Sequence, residues 1–154
     1  MKTIKSFFIK KLHQKIIKDL NWKVDYGDII RIEGEEIQNN ITLSNHLCHF
    51  NSYDVYKKKK EMDIKLCWAS DKDTDYGFIH FINYNTKTNK YFDNTLGSKS
   101  NYYTYYILND SWISKFKSME NPYPSKWLTW AKEDFYNKYC INWLWQKFIK
   151  ISDM

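Results

Sequence analysis

The sequence has few of the residues that mark disulfide-rich, secreted or membrane proteins. Its three cysteines, Cys48, Cys67 and Cys140, are too few and too unevenly spaced for a disulfide framework, which predicts a reducing compartment. The apolar run at residues 7–9 is too short for the core of a signal peptide, and no stretch approaches the roughly 20 apolar residues of a membrane span. We therefore expect a cytoplasmic protein with no membrane span.

The composition also lacks any stretch that marks a linker between two units. The chain of 154 residues is long enough to bury a core, with 19% aromatic and 27% charged residues. This balance is typical of a folded chain rather than a disordered one. The sequence predicts a single domain over residues 1–154.

Arginine is nearly absent, since Arg31 is the only one in the chain. The formal charge of +6 therefore comes from lysine, in a chain that is also rich in Asn, Ile and Tyr. All four residue types have A/T-rich codons, so base composition accounts for the lysines. A dedicated nucleic-acid reader uses arginine forks on phosphates and bases. We do not expect a nucleic-acid partner.

Apolar periodicity outlines the first half of the chain. A spacing of four predicts an amphipathic helix over residues 4–20, packed against the core, and a short β-rich run follows at Ile29–Ile32. Ser44 or Asn45 offers an N-cap, and apolar residues every third position after it predict a helix over residues 45–59. Cys48 would lie in the first turn of this helix.

The second half of the chain predicts strands and then helices. Alternation predicts three strands of an antiparallel meander, at residues 64–69, 78–84 and 90–96. The tyrosine-rich segment YYTYYIL predicts a further strand, without an assigned partner. Helical spacing returns from Trp127 to Ile149. The predicted fold class is α+β, with N-terminal helices, a small antiparallel sheet with the Cys48 helix packed on it, and a C-terminal helical region.

Three residues in this arrangement could form a nucleophilic site. A thiol attacks as its thiolate, which a helix N-terminus and a nearby imidazolium both stabilise. Cys48 has the first by its place in the helix, and His80, on a predicted strand, is the best candidate for the second. His46 and His49 are sequence neighbours of Cys48, but we expect neither ring to point at its sulfur.

Hairpin geometry adds a carboxylate to the pair. If the turn is residues 85–88, Tyr84 pairs with Asn89, which places His80 opposite Asp93 on one face. An even shift of register leaves the two side chains diagonal on the same face, whereas an odd shift separates them. We expect the helix to pack on this face and bring Cys48 to His80.

This order of residues resembles the transglutaminase-like branch of the papain-like cysteine fold. The segment IHFINYNTKTNKYFDNTLG, residues 79–97, is similar to the His strand, turn and Asp strand of that branch. The resemblance implies that Cys48 is the nucleophile, His80 the general base and Asp93 the residue that orients the imidazole.

The sequence departs from the pattern of that branch at three places. Asn94 stands where Pro is usual, His49 stands where Trp would follow the nucleophile, and Phe81 is the residue after His80. Papain-like sites form the oxyanion hole from the backbone N–H of the nucleophile and a side-chain amide. Asn45 is the candidate for that amide.

Two alternative interpretations of these residues compete with the catalytic one. Each of the three residues could be an ordinary packing or turn residue. His46, Cys48 and His49, with Cys67 or His80 in space, could instead bind zinc, but their spacing matches no common zinc signature. We therefore predict no metal and no cofactor.

The predicted function is a thiol-dependent hydrolase or acyltransferase. It would act on an amide or other acyl substrate, carried by a protein or a small molecule, through a covalent thioester. The alternative is a non-enzymatic binding protein of a phage or mobile element that blocks a host partner.

Overall fold

The structure, a computed structural model, describes residues 2–39, 43, 47–109, 112–118 and 126–139. Four α-helices and one five-stranded antiparallel sheet make up this part of the chain. The helices are α1 (Lys2–Asp25), α2 (Cys48–Lys58), α3 (Trp112–Lys117) and α4 (Lys126–Tyr139). The strands are β1 (Ile30–Glu33), β2 (Met62–Asp71), β3 (Gly77–Asn85), β4 (Lys90–Phe92) and β5 (Tyr103–Leu108). The predicted α+β class is confirmed.

The sheet has the strand order β1-β5-β2-β3-β4. Its β2–β3–β4 portion is the predicted antiparallel meander. The tyrosine-rich segment forms β5, which inserts between β1 and β2 and pairs antiparallel with both. Both partners of β5 lie far from it in the sequence, so no local signal identified them.

The two faces of the sheet bury different sets of residues. On the helix face, Trp68 and Phe81 are fully buried with Leu12, Ile16 and Phe135 from the helices. The opposite face carries a second cluster, and its buried members are Ile32, Ile37, Cys67, Ala69, Ile82, Tyr105 and Ile107. The alternation of side chains along β2 and β3 divides them between the faces.

Several predicted boundaries change. Helix α1 covers residues 2–25 instead of 4–20, and α2 covers residues 48–58 instead of 45–59. Leu47 is the N-cap of α2 and makes no side-chain capping hydrogen bond, so the predicted cap at Ser44 or Asn45 is wrong. Helix α4 covers the start of the helical region predicted from Trp127 to Ile149, whereas Cys140 and residues 141–149 lie outside the described residues.

Within the described ranges, no helix has a segment both long enough and apolar enough to span a membrane.

Candidate active site

Cys48 is the first residue of α2 and lies at the edge of β3. Since β4 pairs only with residues 83–85 of β3, it leaves the strand edge beside Phe81 to α2. The Phe81 backbone N–H donates to the Cys48 sulfur, and the Ser52 hydroxyl donates to the Phe81 carbonyl oxygen over 2.9 Å. Cys48 and Ser52 are one helical turn apart, so they engage both backbone polar groups of Phe81 together. This pairing fixes the sulfur against the strand.

His80 lies next to Phe81 and points to the opposite face, beside its cross-strand partner Cys67. Its Nε2 is 2.9 Å from Asp93 Oδ2, and the two side chains are 2% and 0% exposed. The His80 ring also hydrogen bonds the Cys48 thiol. Because Asp93 engages Nε2, Nδ1 is the nitrogen left for the sulfur. The structure therefore brings Cys48, His80 and Asp93 together.

The route by which the thiol reaches His80 differs from the prediction. We expected α2 on the sheet face that carries His80, but Cys48 packs in the same cluster as Phe81, on the other face. Ile82, which shares the face of His80, belongs to the second cluster. The Cys48 thiol lies at the edge of β3, and it contacts the His80 ring there instead of from the sheet face that carries His80.

The hairpin between β3 and β4 has a different register from the predicted one, but it keeps His80 and Asp93 on the same face. Tyr84 pairs with Tyr91, not with Asn89, so the predicted register is wrong by two residues. An even shift returns every side chain to the same face. His80 and Asp93 therefore still meet, with Asp93 directly after the end of β4.

The side chain of Asn85 explains this shift. Its Oδ1 accepts hydrogen bonds from the backbone N–H groups of Lys87 and Thr88, at 2.9 and 3.0 Å. Asn85 thus precedes the turn instead of lying in it. Asn89 ends the turn with φ of +56°, a left-handed conformation that Asn tolerates well.

Four hydrogen-bond donors surround the side-chain carboxylate of Asp93. The N–H groups of Thr95 and Leu96 each donate to Oδ1 over 2.9 Å, while His80 and the Tyr105 hydroxyl each lie 2.9 Å from Oδ2. Burial alone would raise the pKa of Asp93, but the charge of His80 and these hydrogen bonds lower it below its usual value. The carboxylate is therefore ionised and fixed in orientation.

The charges of the three groups support one another. Burial opposes ionisation of Cys48, yet the charge of His80 and hydrogen bonds from His49, His80 and the Phe81 N–H lower its pKa to about 6. Burial would likewise lower the pKa of His80, but the charges of Asp93 and Cys48 raise it to about 10. Between these values the site holds a thiolate beside an imidazolium, which is the reactive state of a cysteine nucleophile.

Sequence reasoning missed two contacts of the site. His49 was not expected to point at the sulfur, but its ring hydrogen bonds the Cys48 thiol. Tyr105 was not considered at all, because its hydroxyl reaches Asp93 only through the insertion of β5 beside β2. The alternation of the tyrosine-rich strand was the one available signal, and it does not identify a neighbour.

The Asn94 side chain makes a buried hydrogen bond that a proline side chain could not make. Its Nδ2 donates to Asn83 Oδ1 over 2.9 Å, and Asn83 Nδ2 donates to the Ser52 carbonyl oxygen over 2.9 Å. Asn51 of α2 also donates to the Thr95 hydroxyl over 3.0 Å. These buried amides tie α2 to the Asp93 segment. Asn45, the candidate oxyanion amide, lies outside the described residues.

Cys67 shows what burial does to a thiol without an imidazole partner. It is fully buried, and burial together with the charges of Asp93 and Cys48 raises its pKa well above the usual value. Its thiol donates to the His80 carbonyl oxygen over 3.3 Å. Both described cysteines are free thiols, and only Cys48 is set up to ionise.

The described candidate metal ligands do not form a metal site. In the part of the chain that the structure describes, no three His, Cys, Asp or Glu residues converge as a metal site requires. His46, one of the residues weighed for zinc, lies outside that part.

Comparisons with known proteins found no similar protein. No protein-family profile, curated protein or solved structure matches the chain.

Proposed function

We propose that the protein is a thiol enzyme of papain-like, transglutaminase-like build that hydrolyses or transfers an acyl group. The observation that carries the proposal is the continuous chain from Cys48 through His80 to Asp93, which begins at the N-terminus of α2. The aligned peptide dipoles of α2 add to the stabilisation of a thiolate at that position.

The reaction would begin from the ion pair. The Cys48 thiolate attacks the acyl carbon, a C–S bond forms, and the carbonyl π electrons move to oxygen. When the tetrahedral intermediate collapses, the bond to the leaving amine breaks and the amine takes the proton from His80. A thioester to Cys48 remains. His80 then accepts a proton from water or an amine as either attacks the thioester, and the C–S bond breaks to return the Cys48 thiolate, which gives hydrolysis or transfer.

Asp93 and the backbone each have a defined part in this scheme. Asp93 keeps Nε2 of His80 engaged, so that Nδ1 faces the sulfur and the imidazolium is stabilised. The Cys48 backbone N–H, in the first turn of α2, has no acceptor within the helix. In this scheme it donates to the oxygen that becomes negative. Leu47, which precedes Cys48, is 41% exposed, so the acyl group would approach along the N-terminal end of α2.

The cellular setting belongs to the same proposal. The two described cysteines are free thiols, as is usual in a reducing compartment, so we place the enzyme in the cytoplasm. Its substrate would be an amide or other acyl group on a protein or small molecule.

Trapping of the acyl-enzyme tests the proposal. We expect a glutamine-containing protein substrate, incubated with the enzyme and a fluorescent primary amine, to release ammonia or acquire the amine. Under rapid quench, mass spectrometry should find an acyl adduct on Cys48 that hydroxylamine removes. Cys48→Ser should form no such thioester. An adduct on Cys67 or Cys140 with none on Cys48 would rule out the assignment.

One observation favours the non-enzymatic alternative. The sulfur of a working nucleophile must meet its substrate, yet Cys48 is only 6% exposed and His80 only 2%. A binding protein of a phage or mobile element that blocks a host partner would need no access to the thiol. Its blocking activity would survive Cys48→Ser, whereas an enzyme's would not.

A further inference from the structure

A second imidazole lies against the thiol of Cys48. His49 follows Cys48 in the first turn of α2, and its ring hydrogen bonds the sulfur. The ring also packs on Phe81, with centroids 6.3 Å apart and planes at 61°. His49 is thus held on the same strand residue whose N–H donates to the sulfur.

The His49 ring has unused hydrogen-bonding capacity. The side chain is only 7% exposed, and its Nδ1 is buried without a hydrogen-bond partner. Burial of an unpaired polar atom is destabilising, so such atoms concentrate where a ligand or reacting group completes the pairing. The unpaired atom lies on the residue that adjoins the nucleophile.

Attack by Cys48 creates an oxygen that needs a donor at this place. In the tetrahedral intermediate the oxyanion is attached to the carbon that has just bonded to sulfur. A donor in contact with the sulfur is therefore within reach of the oxyanion after only a small ring movement. The ring nitrogen that faces the thiolate carries its N–H in either protonation state of the imidazole, so His49 can turn this N–H from the sulfur to the oxyanion.

We propose that His49 is the side-chain oxyanion donor of this enzyme and acts together with the Cys48 backbone N–H. This role rests on the proposed thiol chemistry. It gives His49 a catalytic part distinct from that of His80, which handles the proton.

Two probes separate an oxyanion donor from a residue that only activates the thiolate. Iodoacetamide alkylates the thiolate by displacement of iodide at a saturated carbon, so no oxyanion forms. p-Nitrophenyl acetate acylates the thiolate through a tetrahedral oxyanion, which collapses with loss of p-nitrophenolate and leaves an acetyl thioester. Both rates would be measured on Cys48 at pH 8 in the full chain and in His49→Phe, which keeps an aromatic ring against Phe81.

The proposal predicts a selective loss in His49→Phe. Acylation should slow by about 100-fold, the usual effect of removing one oxyanion donor. Alkylation should stay within about threefold, because pH 8 is well above the Cys48 pKa of about 6 and the thiol stays ionised after a modest rise. His49→Gln keeps an N–H donor and should retain more of the acylation rate than His49→Phe.

Equal slowing of both reactions, or an unchanged acylation rate, would overturn the role of His49. Failure of Cys48 to react with either probe in the unmodified protein would instead overturn the proposed thiol chemistry. Cys67 reports on folding in every variant, because its buried thiol must stay unreactive. His13→Gln, which changes a buried histidine of α1 bonded to the Gly77 N–H, is the matched control and should leave the ratio of the two rates unchanged.

Discussion

At the scale of single residues, the carboxylate of Asp93 connects the sheet to the candidate nucleophile. Its Oδ2 is shared by His80 and Tyr105, both at 2.9 Å, and its Oδ1 is capped by two backbone N–H groups. A carboxylate with this many donors cannot rotate without leaving a buried charge unpaired. The orientation of the imidazole therefore depends on Tyr105 as well as on Asp93, and Tyr105 is a positioning residue.

Tyr105→Phe tests this dependence. It removes one hydrogen bond to a buried carboxylate, so the free energy of unfolding should fall by about 1.5–3 kcal/mol in urea denaturation. The pH midpoint of Cys48 alkylation should also move, because the carboxylate that sets the charge of His80 has lost a donor.

Tyr103→Phe is the matched control for Tyr105→Phe. Tyr103 is two residues earlier on the same face of β5, with its ring centroid 6.5 Å from that of Tyr105. Its substitution should change the stability by no more than about 0.5 kcal/mol and should leave the alkylation midpoint unchanged. Equal effects of the two substitutions would contradict a specific role for Tyr105.

The sequence allowed the meeting of His80 and Asp93 to be predicted because parity along a hairpin is a local property. A two-residue error in register left both side chains on one face. Tyr105 and His49 were beyond such reasoning. The first depends on a strand pairing across the whole sheet, and the second depends on a rotamer that packing against Phe81 selects.

At the scale of elements, α2 packs along the part of the β3 edge that β4 does not pair with. The hydroxyl of Ser52 closes this contact, and it is 1% exposed at 2.9 Å from the Phe81 carbonyl oxygen. The N-cap was mispredicted because Leu47, which has no capping side chain, occupies it. Contacts with the strand, rather than capping, therefore determine where α2 starts.

Ser52→Ala should weaken this contact. The Phe81 carbonyl oxygen would lose the hydrogen bond from the Ser52 hydroxyl, so the free energy of unfolding should fall by about 0.5–1.5 kcal/mol. The alkylation rate of Cys48 should change as well, because the sulfur shares the same strand residue. Urea denaturation and mass-spectrometric labelling measure the two effects. Ser114→Ala, at an exposed position of α3, should change neither; a Ser52→Ala variant as stable as this control would show that the contact is unimportant.

At the scale of the whole molecule, the ion pair should appear in the pH dependence of stability. Between pH 6.5 and 9.0 the native pair holds one proton, on His80, because its pKa is about 10 and that of Cys48 is about 6. In the unfolded chain the ordinary values of 6.5 and 9.0 place one proton on the thiol instead. Equal numbers of bound protons mean that this pair adds no slope in that range.

Cys48→Ser should create a slope. Asp93 still raises the pKa of His80, so native His80 keeps a proton that unfolded His80 loses above pH 6.5. That stabilisation is fully present below pH 6.5 and is lost as pH rises. The free energy of unfolding should therefore fall, relative to the unmodified protein, by up to about 1.4 kcal/mol per pH unit. Parallel curves for the two proteins between pH 6.5 and 9.0 would show that Cys48 and His80 do not form an ion pair.

The α+β class and the meander could be predicted because alternation and helical spacing are local. The position of β5 between β1 and β2 could not, since each pairing joins segments distant in sequence and depends on the packing of both sheet faces. The same holds for the candidate site. The contact between His80 and Asp93 within the hairpin was predictable, whereas the sheet face on which α2 packs was not.

The most direct test of the central claim is the pH dependence of iodoacetamide alkylation, mapped to individual cysteines by mass spectrometry. If Cys48 is an activated nucleophile paired with His80, its rate should rise with a midpoint near pH 6 while Cys67 stays unreactive. In His80→Gln the midpoint should move above 9.0, because burial then acts on the thiol without an imidazolium. A Cys48 midpoint at or above 9.0 in the unmodified protein, or labelling no faster than that of Cys67, would contradict the claim.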